Sequence, residues 1–284
     1  MLSETQNLKR NFKLLYCLNF FLNSAFTLPI YILFGREYLG LSYLQAGSFL
    51  LVSWFVSIVL DFFGGVFTDK IGRKKAFVYG MVIQIATFIP FLLTKSYPLL
   101  IISSVLNGIG VALSSNSIDA LIYEQAIVVG KKNDYQHANA ISQVFVFLGR
   151  IYATILGGLS YKIDPRLPYL LYIVALCLVL ITGLVMKTDN IVKRSENGKY
   201  LNLVSTAFKV YKNNLALLKF VIVSGIFAFW ADMLFAYYQP FFIEQGVTST
   251  TLGFLFATIS IGSAAGSFMM RKLPDKLSAL IRYN

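Results

Sequence analysis

Charge is scarce in this chain. Only 13% of its 284 residues are Asp, Glu, Lys or Arg, about half of the roughly 25% that a soluble domain carries. The shortage runs the whole length of a sequence that is 57% hydrophobic, with a mean hydropathy of +0.67, and it points to an integral membrane protein. Cysteine is equally rare: Cys17 and Cys177 both fall inside apolar runs, which excludes a disulfide framework. The one histidine, His137, has no cysteine or histidine cluster around it, so no metal site and no cofactor are expected. No nucleophile–base spacing or phosphate-binding loop stands out, which argues against an enzyme. Acids are outnumbered, 13 against 25 bases, for a formal charge of +12. Such a balance suits nucleic acid in general. Here the bases sit between apolar runs rather than on one amphipathic face, so the lipid bilayer, not nucleic acid, is the implied partner.

About 20 apolar residues cross a bilayer as a helix. Eight runs qualify: residues 12–34, 43–68, 75–94, 98–124, 138–161, 167–187, 216–241 and 249–270. The first carries Lys9, Arg10 and Lys13 ahead of it and no small-residue cleavage site, so it reads as a retained span rather than a signal peptide. The expected fold is all-α, a polytopic bundle of membrane helices. Residues 1–187 form a six-helix unit, 188–215 a polar linker, and 216–284 a second, smaller set of two helices with a tail. With the start of the chain inside, the inner segments hold 20 Lys and Arg and the outer loops 4. That bias sets the orientation: a multi-pass protein of the plasma membrane with both termini cytoplasmic.

Between the second and third runs the sequence reads Gly65-Val66-Phe67-Thr68-Asp69-Lys70-Ile71-Gly72-Arg73-Lys74-Lys75. Gly72 supplies a positive-φ position at which the chain doubles back. Asp69 and Arg73 are close enough to pair, and Lys74 adds basic charge. The spacing Gly-x-x-x-Asp-Lys-x-Gly-Arg-Lys resembles the loop between helices 2 and 3 of the major facilitator superfamily of secondary transporters. The resemblance implies two six-helix halves that rock about a midplane site. Against that pattern the chain shows the first half and two helices of the second, eight of twelve. It therefore reads as C-terminally truncated, a fragment, one half of a complementing or self-associating pair, or an unusually short protein. The resemblance also implies that Asp69 caps a helix N-terminus in the opposite half when the transporter faces outward, where the dipole favours negative charge, and that Gly65 permits close helix contact.

Ionisable residues inside spans cost about 2.5–3.5 kcal/mol each at a helix centre, and so mark cavities or buried partners. Asp61, Asp119, Arg150 and Asp232 are of this kind. Ten Leu, Ile, Phe and Val between Phe220 and Phe241 return about 3–6 kcal/mol, so the seventh span still inserts with Asp232 in it. Asp61 reads either as part of a proton-linked gating network or as an acid paired to a nearby base. Asn116, Asp119 and Tyr123 share one helical face, and Glu124 closes that span. Gln143, Phe147, Arg150 and Thr154 share a face of the fifth span. Arg150 suits an anionic substrate through its planar fork, or a fixed pair with Asp61, Asp119 or Asp232. In the first span Tyr16, Asn19, Asn23, Thr27 and Tyr31 form a polar–aromatic stripe, and in the seventh Asp232 and Gln239 are seven apart. These line a cavity or bond helices together.

By resemblance, helices 1, 2, 4, 5, 7 and 8 line the transport path, and Glu124 pairs with Arg73 in a charge relay across the inner surface. One branch of the family carries Glu-x-Pro-Thr-Gly ahead of the loop; here the positions read Asp61-Phe62-Phe63-Gly64-Gly65. Two further signatures are altered. Ser104 stands where many proton-coupled exporters have arginine, and Ala153-Thr154 replace the Gly-Pro of the antiporter signature in helix 5. The expected function is secondary active transport of a small organic solute, with proton-coupled efflux first. Metabolite uptake or a non-transporting fragment is the alternative.

Overall fold

A computed structural model describes residues 2–115, 117–128, 132–186 and 214–272. Asn116 and nearly all of the 188–215 linker lie outside these residues. For Gly65, Asp69, Asp119, Glu124 and Asp232 the backbone alone is described. The regular elements are all helical. They are α1 (Leu2–Leu22), α2 (Tyr31–Leu33) continuing into a π-helical turn (Phe34–Tyr38), α3 (Tyr43–Ile71), α4 (Arg73–Leu93), α5 (Tyr97–Ser114), α6 (Ser117–Val128), α7 (Lys132–Ile163), α8 (Leu167–Val185), α9 (Leu215–Glu244) and α10 (Ser249–Lys272). Among the described residues six helices are long and apolar enough to cross a membrane. Only 22–39% of each apolar window is buried inside the molecule, and side chains such as Phe55, Ile58 and Leu93 stand exposed. In water such a surface would drive aggregation; in hydrocarbon it is solvated.

Local chemistry sets the helix ends. Ser42 opens α3 with a reciprocal capping box: its hydroxyl accepts from the Gln45 amide at 3.2 Å, and the Gln45 side chain accepts from the Ser42 amide at 3.0 Å. Both orphan donors are thereby met. Gly72 separates α3 from α4 with φ 92°, a left-handed conformation that costs glycine little. Pro98 and Pro168 sit in the first turns of α5 and α8, where a missing N–H costs nothing. Connections alternate between the two ends of the bundle. The Gly72 turn marks one end and the Gly246 turn (φ 75°) the other.

Two spans differ from expectation. The first run, expected as one helix over 12–34, stops at Leu22 and resumes at Tyr31. Pro29 is the cause: it donates no hydrogen bond and pushes Leu28 out of the helical region. Upstream, the Asn23 side chain donates to the Asn19 carbonyl (2.9 Å) and the Ser24 hydroxyl to the Phe20 carbonyl (2.8 Å), which competes with the helix ladder. The chain then crosses in tight turns, Leu28 amide to Ala25 carbonyl and Ile30 amide to Thr27 carbonyl, both 3.1 Å. The fourth run, expected as one helix over 98–124, is split between α5 and α6. Ser115 is extended with ψ 135°, and the Ser117 hydroxyl turns back on the Leu113 carbonyl at 2.9 Å. The face expected through Asn116, Asp119 and Tyr123 begins outside the described residues, and the helical stripe in the first span holds only as far as Leu22.

Helix α4 packs on α5 and α8, α3 on α5, and α1 on α7 and α8, while α10 packs on α7. One apolar core lies toward the Gly72 end and joins α1, α4, α6 and α8 through Leu15, Phe77, Met81, Ile122 and Leu176. A second lies toward the Gly246 end. There Ile30, Phe34, Phe91, Leu100 and Tyr169 meet Leu252, with Phe242 and Ile243 against them, so the first half and the start of the second share one core.

Candidate functional site

The break in the first span is where the polar chemistry gathers. Backbone groups freed inside a membrane protein need partners, and here one comes from the other half of the chain. Gln239, fully buried on α9, donates from Nε2 to the Leu28 carbonyl at 2.7 Å and accepts at Oε1 from the Ile32 amide at 3.2 Å. A single carboxamide thus bridges the two sides of the break.

On the α7 side, Arg150 donates from Nε to Asn23 Oδ1 at 3.3 Å and keeps an exposed side chain. Asn19 donates from Nδ2 to Ser142 Oγ at 2.6 Å, a buried contact between α1 and α7. Among the described residues no carboxylate lies against Arg150. Its position on α7 is fixed by packing: Gly149 and Gly157 face the carbonyl oxygens of Phe20 and Phe26 so closely that a Cβ at either would overlap them. The arrangement is a guanidinium held next to an unwound segment, with a single side-chain hydrogen bond among the described residues.

At the Gly246 end the halves are in close contact. Gly158 on α7 meets α10, where a Cβ would overlap the Ser249 carbonyl and stand 3.0 Å from the Gly253 Cα. Only glycine pairs let two helices approach this closely. Nearby, Tyr161 donates to Glu37 Oε2 at 3.1 Å, and the Arg36 guanidinium lies 4.5 Å from the Tyr43 ring centre.

At the Gly72 end, Lys74 donates to the carbonyls of Leu184 (3.1 Å) and Met186 (2.6 Å), and Arg10 to that of Val185 (2.6 Å). Two cations from α1 and α4 cap the C-terminus of α8, where the dipole favours positive charge. Arg73 begins α4 and is half-buried. Asp61 is exposed on α3, and its Oδ1 accepts from the Ser115 hydroxyl at 3.0 Å, at the break in the fourth span.

The structure thus brings Asn19, Asn23 and Arg150 together, with Gln239 on the same break. Thr27 lines a separate cavity, and Gln143 is exposed on α7. Asp61 meets a hydroxyl rather than a base. Asn116 lies outside the described residues, as do the side chains of Asp69, Asp119, Glu124 and Asp232. Ser142 and Ser115 were not anticipated. Ser142 is a lone serine and Ser115 one of a serine run; their partners sit 123 and 54 residues away. No group of three metal-binding side chains occurs among the described residues.

The family model described as Major Facilitator Superfamily matches residues 14–283. An uncharacterized MFS-type transporter of Bacillus subtilis (strain 168), YxaM, is 24% identical over 238 residues, which cover 81% of this chain and 57% of that protein. The chain thus spans little more than half the length of that curated relative. Among solved structures, a mutant of the nucleoside transporter NupG superposes with a TM-score of 0.76 at 17% identity, over 97% of this chain and 69% of that one. A D-xylose-proton symporter gives a TM-score of 0.59 at 17% identity, over 88% and 64%. At that identity these likenesses speak for the fold.

Proposed function

This chain belongs to the major facilitator superfamily, and we propose that it carries a small organic anion across the plasma membrane by alternating access, coupled to protons. The observation that carries the reading is Arg150. It is a guanidinium inside a span, without a described carboxylate partner, beside the unwound segment of the first span that Gln239 of the second half grips. A charge so placed is costly unless it faces a cavity or a ligand, and its fork matches a carboxylate. The same unwound segment touches both halves, so rocking one half against the other changes the surroundings of Arg150. The Lys and Arg bias puts the Gly72 end in the cytoplasm. The contact of Gly158 with Gly253 supports an arrangement closed at the Gly246 end.

Asp61 is the proposed proton carrier among the described acids. Its Oδ1 accepts from the Ser115 hydroxyl at the break in the fourth span. Import is favoured over multidrug efflux because Ala153-Thr154 stand in α7 in place of the Gly-Pro of the antiporter signature. Membrane vesicles of known sidedness test this, with labelled organic acids and an imposed pH gradient. Uptake into right-side-out vesicles with the outside acidic, lost in Arg150→Gln and largely retained in Arg150→Lys, is the expected result. Uncoupling from the gradient in Asp61→Asn would identify the proton step. Transport in the outward direction alone, or full activity of Arg150→Gln, would overturn the assignment.

A further inference from the structure

A cavity of about 240 Å³ lies inside the first half, lined by α3, α4, α5, α8 and the break after α1. None of its described lining residues belongs to α7, α9 or α10, and Arg150 is not among them.

Its polar lining is built and oriented. Asn107 donates from Nδ2 to Ser53 Oγ at 2.9 Å and accepts at Oδ1 from Thr87 at 3.3 Å. Gln84 donates to Ser114 Oγ at 2.7 Å. These groups are almost fully buried: Ser53 and Gln84 are 5% exposed and Thr87 4%. The hydroxyls of Ser57, Tyr169 and Tyr172 also line the cavity and make no hydrogen bond with any described residue. These hydroxyls offer donors and acceptors to an occupant of the space. Aromatic faces of Trp54, Phe88 and Phe91 supply the other wall. No charged side chain is among its described lining residues, which favours a neutral occupant. The volume falls below the roughly 300–1,000 Å³ of drug-sized pockets, so one ring fits and two do not.

We infer that this cavity is a second binding site, taking a small neutral ring compound rich in hydroxyl groups. The ring lies against Trp54 and Phe88, and the hydroxyls complete the set offered by Asn107, Ser57 and Tyr172. Thr27 and Leu28 also line the cavity, and the Leu28 carbonyl is held by Gln239 from the second half. An occupant therefore touches the same broken segment that the second half grips. The inference stands whether or not Arg150 binds a transported anion.

The chain has two tryptophans, Trp54 and Trp230. The full chain carrying Trp230→Phe, in lipid nanodiscs, leaves Trp54 as the sole reporter. Methyl β-glucopyranoside, methyl ribofuranoside and myo-inositol are titrated in turn, with gluconate as the charged control. A saturable change in Trp54 emission with at least one neutral ring and none with gluconate is expected. Its midpoint should rise about tenfold or more in Asn107→Ala, the scale of one lost buried hydrogen bond. Ser57→Ala serves if that variant fails to fold, and Arg150→Gln should leave the midpoint unchanged. The inference is overturned if none of the three compounds gives a saturable change, in which case water alone fills the cavity. It is also overturned if the midpoint is the same in Asn107→Ala and Ser57→Ala, or if Arg150→Gln abolishes the response.

Discussion

Replacing Gly158 by valine puts a side chain where the structure has room for none. Its Cβ would overlap the Ser249 carbonyl and come within 3.0 Å of the Gly253 Cα and 3.1 Å of the Gly253 amide nitrogen. All three are backbone atoms of α10, and none can rotate away. The helices must separate at the Gly246 end. Overpacking of this kind costs about 1–3 kcal/mol. The cost falls on the closed arrangement alone, so the balance between closed and open at that end shifts by about 5- to 140-fold, taking 1.4 kcal/mol per factor of ten. Spin labels at Ile163→Cys and Gln245→Cys, with Cys17 and Cys177 replaced by serine, report the separation by electron–electron distance. The valine variant should show a new, longer distance population. Gly149→Val is the control, because its clash is with Phe20 inside the first half. That variant should lower stability without adding the longer distance. An unchanged distribution in a folded Gly158→Val protein would show that this contact does not close the Gly246 end.

Gln239→Leu strands the Leu28 carbonyl and the Ile32 amide, at about 1–3 kcal/mol for each buried group left unpaired; a fall in thermal midpoint and a wider Gly246 end check this in the same labelled protein. Lys74→Met removes a cation from the C-terminus of α8 and should cost about 0.3–1 kcal/mol, seen as a small drop in the same midpoint and a larger one when combined with Arg10→Met. In the exposed turn 164–166, hydrogen bonds from the Arg166 side chain and amide hold the Asp164 carboxyl below its ordinary value. The pairing is therefore complete above the ordinary carboxylate range and is lost only as pH falls through the lowered value, which a carboxylate-labelled NMR titration of Asp164 against Arg166→Gln tests directly.

The parts legible in the sequence were those with local causes. Hydropathy located the spans, the Gly72 turn announced its own positive φ, and Ser42 with Gln45 spelled the capping box. The two breaks were written in the sequence as well, as Pro29 after Asn23-Ser24 and as the run Ser114-Ser115-Asn116-Ser117. They were hidden because apolar residues continue on both sides, and because Asn23, Thr27 and Tyr31 keep a helix-like spacing through a segment that is not helical. The long-range bonds were not legible. Gln239 to Leu28, Asn19 to Ser142 and Lys74 to Leu184 each join residues more than 100 positions apart, and a lone amide or amine does not name its partner. Arg150 was recognisable from its cost in a span. That Asn23 is its neighbour among the described residues came from the packing of α1 on α7.

The most direct measurement follows protons. Proteoliposomes holding the purified protein are given a small organic acid outside, in weak buffer, and external pH is recorded. Proton-linked import through Arg150 predicts a saturable external alkalinisation that is absent in Arg150→Gln and weakened in Asp61→Asn. Solute entry without any pH change, or the same alkalinisation in Arg150→Gln, would contradict it.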